Sequence, residues 1–134
     1  MEFNEGIYKN LFDVTFSTLK GLKESEYSLL KETFKEMDKE SITFDLIEMH
    51  EKIQPLEIMV KLISNKTVGN LIIDLRNKDG LVLGKISFKN FMFKKIEDLI
   101  DFNFNSENKN KDLKVLYEYD EIIYTGKSGK EDKI

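Results

Sequence analysis

The stretch from Val68 to Phe88 constrains the fold more tightly than any other part of the chain. Two β-rich runs, VGNLIIDL from Val68 and LVLGKISF from Leu81, flank Arg76–Asn77–Lys78–Asp79–Gly80. Asp-Gly between two such runs predicts a hairpin, because glycine accepts a positive φ at little steric cost. Other segments carry the same period of two. From Asn10 to Thr18, Phe12, Val14 and Phe16 alternate with Asp13, Thr15 and Ser17. SITFDLIEM from Ser41 puts Ile42, Phe44 and Leu46 on one face, and Asp101 to Asn105 alternates through Phe102 and Phe104. A long last strand is expected over Asp112 to Tyr124, with Leu113, Val115, Tyr117 and Tyr119 on one side and Lys114, Glu118 and Asp120 on the other.

Helical spacing is rarer. Tyr27, Leu30, Phe34 and Met37 recur at steps of three and four, and Ser25 is placed to cap them, so a helix is predicted over 26–38. Leu56 to Ile63 fits a strand or a helix, and Pro55 just before it favours the helix. Phe91 to Ile100 reads as a loop leading into one helical turn. The stretch from Gly126 to Ile134 has almost nothing to bury and is expected to be a flexible tail. No internal repeat is present. The sum is a mainly β (α+β) fold: an antiparallel sandwich or barrel with one or two short helices, as a single domain over residues 1–125.

Composition agrees with that size and class. A chain of 134 residues is enough for one domain, and folding at that length buries roughly two-thirds of the unfolded surface. With 40% hydrophobic residues and 10 Phe, it has the apolar mass that disordered chains lack. No run approaches the roughly 20 apolar residues of a membrane helix. Met1 to Gly6 has no apolar core, which leads to the expectation of an intracellular product. There are 21 Lys+Arg against 25 Asp+Glu, and Arg76 is the only arginine. Lysines sit beside acids, as in Lys94–Lys95–Glu97–Asp98, so a basic stripe for sequence-specific nucleic-acid binding is not expected. Alanine is absent altogether.

Catalytic sets are missing from the sequence. Cysteine is absent and His50 is the single histidine. His50–Glu51 opens like a zinc-protease motif, but position 54 is Gln54, and a catalytic zinc needs three protein ligands. No serine triad and no phosphate or dinucleotide loop is legible. Asp101, Asn103, Asn105, Glu107 and Asp112 occupy ligand steps of a calcium-loop template. Ser106 stands where that template needs glycine, Asp112 replaces its long Glu, and Lys109 brings a positive charge, so a strand with one wet face is the better account. Acid pairs such as Asp45 with Glu48 or Glu118 with Asp120 have no cleft in sequence to hold them. The expectation is a protein without cofactor, metal or enzymatic activity.

Two separated stretches resemble the tail tube proteins of contractile-tailed bacteriophages. Asn10–Leu11–Phe12–Asp13–Val14–Thr15–Phe16 resembles the family's opening strand. Ile86–Ser87–Phe88–Lys89–Asn90–Phe91–Met92–Phe93 resembles its strand running into an apolar corner, followed by an aromatic strand (Leu99 to Asn105) and a final long strand closing on Tyr119–Asp120. The similarity covers residues 10–18 and 68–124, while Gly21 to Lys66 matches poorly. It implies a structural protein of the virion tail, made in the host cytoplasm. It also implies a ring of six subunits, in which strands of neighbouring copies join around a channel, and contacts to other tube or baseplate proteins. A tube or a baseplate tube-like paralogue fits, and a similar fold occurs in type VI secretion tubes. A small β-sandwich adaptor that binds a partner protein outside any virion is the alternative. Aromatic and methionine side chains in turns serve as anchors at partner surfaces, so Phe91, Met92 and Phe93 are the first candidate interface residues. Capping the chain's own core is their other possible role. Leu116 and Ile122, apolar on the charged face of the last strand, come second.

Overall fold

The computed structural model describes residues 12–16, 19–49, 52–99 and 111–134. Nine strands and two helices follow one another among them. They are β1 (Phe12–Thr15), α1 (Glu24–Thr33), β2 (Phe34–Met37), β3 (Ser41–Met49), β4 (Lys52–Gln54) and α2 (Leu56–Ser64), then β5 (Gly69–Arg76), β6 (Val82–Leu99), β7 (Lys111–Glu118), β8 (Glu121–Gly126) and β9 (Glu131–Lys133). All strand pairings are antiparallel. The fold is therefore mainly antiparallel β with two helices.

The 18-residue strand β6 organises the molecule. Its first half runs between β5 and β8, and β1 and β9 lie outside those. Its second half pairs with β7, which carries β3 and then β2. One strand thus belongs to two sheets, and their inner faces share one core. Phe16, just past β1, packs on Phe44 of β3 at 6.0 Å and on Phe93 of β6 at 6.1 Å. Helix α1 lies against β1 and β3, bridging the far sides of the two sheets, while α2 packs on β4 and β6.

The predicted hairpin is present as β5–β6. Asn77 Oδ1 accepts from the Asp79 and Leu81 N–H groups, and Gly80 sits at φ 83°. Inward alternation follows as expected: Leu71 and Ile73 of β5 are buried against Ile86 and Phe88 of β6.

Other elements differ from the sequence reading, each for a local reason. The helix expected over 26–38 ends at Thr33, and Ser25 lies inside its first turn. The Glu26 carboxylate accepts the Lys23 N–H at 2.8 Å instead. Phe34 leaves the helix at φ −57°, ψ 127° and pairs with Phe44, edge-on at 6.4 Å. The turn that makes this possible is built by Asp38, whose carboxylate accepts from Glu40 N, Ser41 N and Ser41 Oγ. Leu56–Ser64 is helical, burying Ile58, Met59 and Leu62 while Val60 faces outward. Pro55 stands one position ahead of that helix, as its N-cap.

Phe91–Leu99 is not a loop and a helical turn but the second half of β6. Register shifts between Phe93 and Lys95, and again between Ile96 and Asp98, break the alternation that would have marked it as strand. The last strand is split in two, β7 and β8, at Tyr119–Asp120. Residues 131–133, within the stretch expected to be a tail, form β9 on β8, with Lys133 Nζ 3.0 Å from the Glu121 carboxylate. The predicted strand over 101–105 lies outside the described residues.

Candidate functional site

The corner between the two sheets forms where β6 and β7–β8 change face together. Before it, Ile86 and Phe88 point into the core; after it, Phe91 and Phe93 do. A step of three in a strand cannot keep both ends on one face without an irregular residue. That residue is Asn90, at φ 52°, the left-handed region that Asn tolerates better than most side chains. The facing strand behaves alike. Leu113, Val115 and Tyr117 point inward on β7, whereas on β8 the inward residues are Ile122 and Tyr124, paired with Phe88 and Ile86. Register is nevertheless kept across the corner, with Met92 opposite Glu118 and Lys89 opposite Glu121.

Three polar contacts hold this geometry. Asn90 Nδ2 donates to Asp120 Oδ2 at 2.6 Å, Asp120 N donates to the Lys89 carbonyl at 2.9 Å, and Asn90 N donates to Asn70 Oδ1 at 3.3 Å. Beneath them lies an aromatic stack. Phe91 stacks on Tyr117 at 5.0 Å, Tyr119 meets Phe88 edge-on at 5.1 Å, and Phe91 meets Phe93 at 5.0 Å. Burial pushes the Tyr117 phenol above its ordinary pKa, so it stays a neutral donor, bonded to the Asp38 carbonyl at 2.6 Å.

Outside the corner the surface opens into a cleft of about 340 Å³ lined by Val68, Asn90, Met92, Glu118, Tyr119 and Asp120. Val68 is 48% exposed and Tyr119 38%. The Asp120 carboxylate is engaged by Asn90, whereas the Glu118 carboxylate has no hydrogen bond or ion pair among the described residues. The cleft therefore offers apolar walls and a carboxylate rim, a composition suited to holding another chain.

The candidate interface residues separate accordingly. Phe91 and Phe93 are buried in the chain's own core, at 0% and 2% exposure, so they cap that core. Met92 points the other way and lines the cleft. Ile122 is not on the charged face; the change of phase after Tyr119 turns it inward, opposite Phe88. Leu116 is half-buried on β7, between Ser41 of β3 and Lys95 of β6. Sequence reasoning missed Val68, Asn90 and Glu118, and the odd spacing from Phe88 to Phe91 was the signal that could have revealed the corner.

Among the described residues no group of three or more His, Cys, Asp or Glu could hold a metal ion. Of the calcium-template positions only Asp112 is described, and it binds Lys35 Nζ at 2.9 Å, raising the Lys35 pKa chiefly through that hydrogen bond. His50 and the side chain of Glu48 lie outside what is described. No described helix is long and apolar enough to cross a membrane.

No protein-family model matches the chain, and no curated protein matches it. Among solved structures, a crystal structure of an Hcp protein is similar at 13% identity and a TM-score of 0.43, over 70% of this chain and 58% of that one. Hcp1 from E. coli EAEC 042 is similar at 11% identity and 0.45, over 70% and 61%. A type VI secretion system effector from Yersinia pestis is similar at 10% and 0.47, over 92% and 96%. The chain spans less than two thirds of the length of both Hcp chains. Likeness at this level says nothing of activity, substrate or partner.

Proposed function

We propose that the chain is a structural subunit of a contractile tail, forming or docking on the tail tube or its baseplate end in the virion by strand-mediated ring assembly, with a ring of six as the expected order. The observation that carries this reading is the corner. The second of the two stretches that resemble tail tube proteins, Ile86–Phe93, and the Tyr119–Asp120 pair that closes the final strand in that resemblance meet there as one hydrogen-bonded unit through Asn90 and Asp120. The sheet edges agree with it. Among the described residues β1 pairs only with β5 and β2 only with β3, and an unpaired edge is a template for a strand of a neighbouring copy. An acidic balance, formally −4, suits a channel through which DNA slides, since a basic lining would hold phosphates.

Mass spectrometry of purified contractile-tailed particles from a producing strain tests this. The chain should be present at many copies per particle; its absence from particles that assemble normally would rule the reading out. The cleft beside Met92 favours a second reading, a β-sandwich adaptor holding one partner chain outside the virion. A single stoichiometric partner in pull-downs, with no self-association, would select it.

A further inference from the structure

We infer that copies of this chain contact one another head to tail, the lysine-bearing hairpin end of one copy seating in the Met92 cleft of the next. The inference rests on the self-assembly proposed above and assigns it a surface. Two ends of the first sheet carry complementary chemistry. At one end stand the β5–β6 turn and the β8–β9 turn, adjacent because Gly84 pairs with Gly126. This end presents Lys78, Lys127 and Lys130, all exposed, and none of their ammonium groups has an ion-pair or hydrogen-bond partner among the described residues. Beside them Leu81 is 59% exposed and Leu83 43%. Asp79 and Glu131 are the acids nearby.

At the other end lies the cleft, with Val68, Met92 and Tyr119 as apolar wall and Glu118 and Asp120 on the rim. Next to Asn90 and Asp120 in sequence, Lys89 and Glu121 stand opposite each other across the β6–β8 pair. A lysine stem can lie along Val68 and Met92 while its ammonium reaches Glu118 and the face of Tyr119. Leu81 then covers the exposed part of the cleft. The pairing uses two different patches at opposite ends of one molecule, so it is heterologous: it propagates into a ring or a stack rather than closing as a two-fold dimer.

The absence of cysteine makes a direct test available. Val82 and Asn90 stand about 26 Å apart along β6, at roughly 3.3 Å per residue, whereas a disulfide needs Cα atoms roughly 4.4–6.8 Å apart. A Lys78→Cys, Glu118→Cys double variant therefore cannot bridge within one chain. Mild oxidation should give a ladder of cross-linked oligomers, and each single variant should give dimers at most. Charge reversal provides the second arm. Glu118→Lys should weaken self-association on the order of tenfold, and Lys78→Glu in the same chain should restore it. If the protein self-associates but forms no ladder and ignores both reversals, the head-to-tail contact is wrong and assembly stands. A protein that stays monomeric overturns both.

Discussion

At the scale of single residues, two positions carry the corner and the sheet next to it. Asn90 holds a positive φ that a β-branched side chain resists, at a cost of about 1–3 kcal/mol. Asn90→Val should lower stability by that amount in urea unfolding. Asn90→Gly should cost less, since it relieves the backbone and loses only the bond to Asp120. Gly84 is inward-facing and roofed by the Tyr124 ring: a Cβ there would stand 2.8 Å from the Tyr124 hydroxyl and 2.9 Å from Cε2. Gly84→Ala should therefore cost about 1–3 kcal/mol by overpacking. In a Tyr124→Leu background, where the ring is gone, the same change should cost distinctly less. Phe44, fully buried and in contact with Phe16, Phe34 and Phe93, is the larger test. Phe44→Ala should cost about 3–5 kcal/mol.

At the scale of elements, the β2–β3 turn has a pH signature. Hydrogen bonds from the Glu40 N–H first, then from Ser41, hold the Asp38 carboxyl below the ordinary carboxylate value of 3.8. A depressed folded-state pKa contributes stability that is present above the unfolded value and is lost as pH falls through the folded one. The stability difference between the native chain and Asp38→Ala should therefore be constant from pH 7 to about 5 and shrink below about 4. A difference unchanged at pH 2.5 would contradict the assignment. The same turn explains part of what sequence could not reveal. Lys35, Glu36 and Lys39 sit at spacings a helix would use, so the pattern favoured a longer α1. The decision to leave the helix at Phe34 belongs to Phe44, ten residues away and on another strand. Elements whose partners are local, such as the β5–β6 hairpin with its Asn77–Gly80 turn, were legible. The second half of β6 was not, because its bulges at Lys94 and Glu97 remove the alternation by which strands are recognised. The candidate site was legible only in part: Met92 was visible as an apolar side chain in a corner. The inward turn of Phe91, Phe93 and Ile122 depended on a change of phase that only paired strands reveal.

At the scale of the whole molecule, the structure is one curled antiparallel assembly in which β6 joins two sheets and α1 bridges their far sides. An aromatic chain threads its mostly aliphatic core, running from Phe34 through Phe44, Phe93, Phe91 and Phe88 to Tyr119 at the surface. That chain of rings leads from the interior to the wall of the cleft, which Tyr119 lines. Opposite ends of the first sheet differ in charge, and exposed charges are screened within about 8–10 Å at physiological salt. Assembly through those ends should weaken measurably between 50 and 500 mM salt in sedimentation experiments, whereas assembly by edge-strand pairing alone should not. The central claim is that this chain functions as a copy among copies. Electron microscopy of the concentrated protein at low salt tests it most directly. The account predicts closed rings or stacks of rings; a field of uniform monomers at the highest attainable concentration would contradict it.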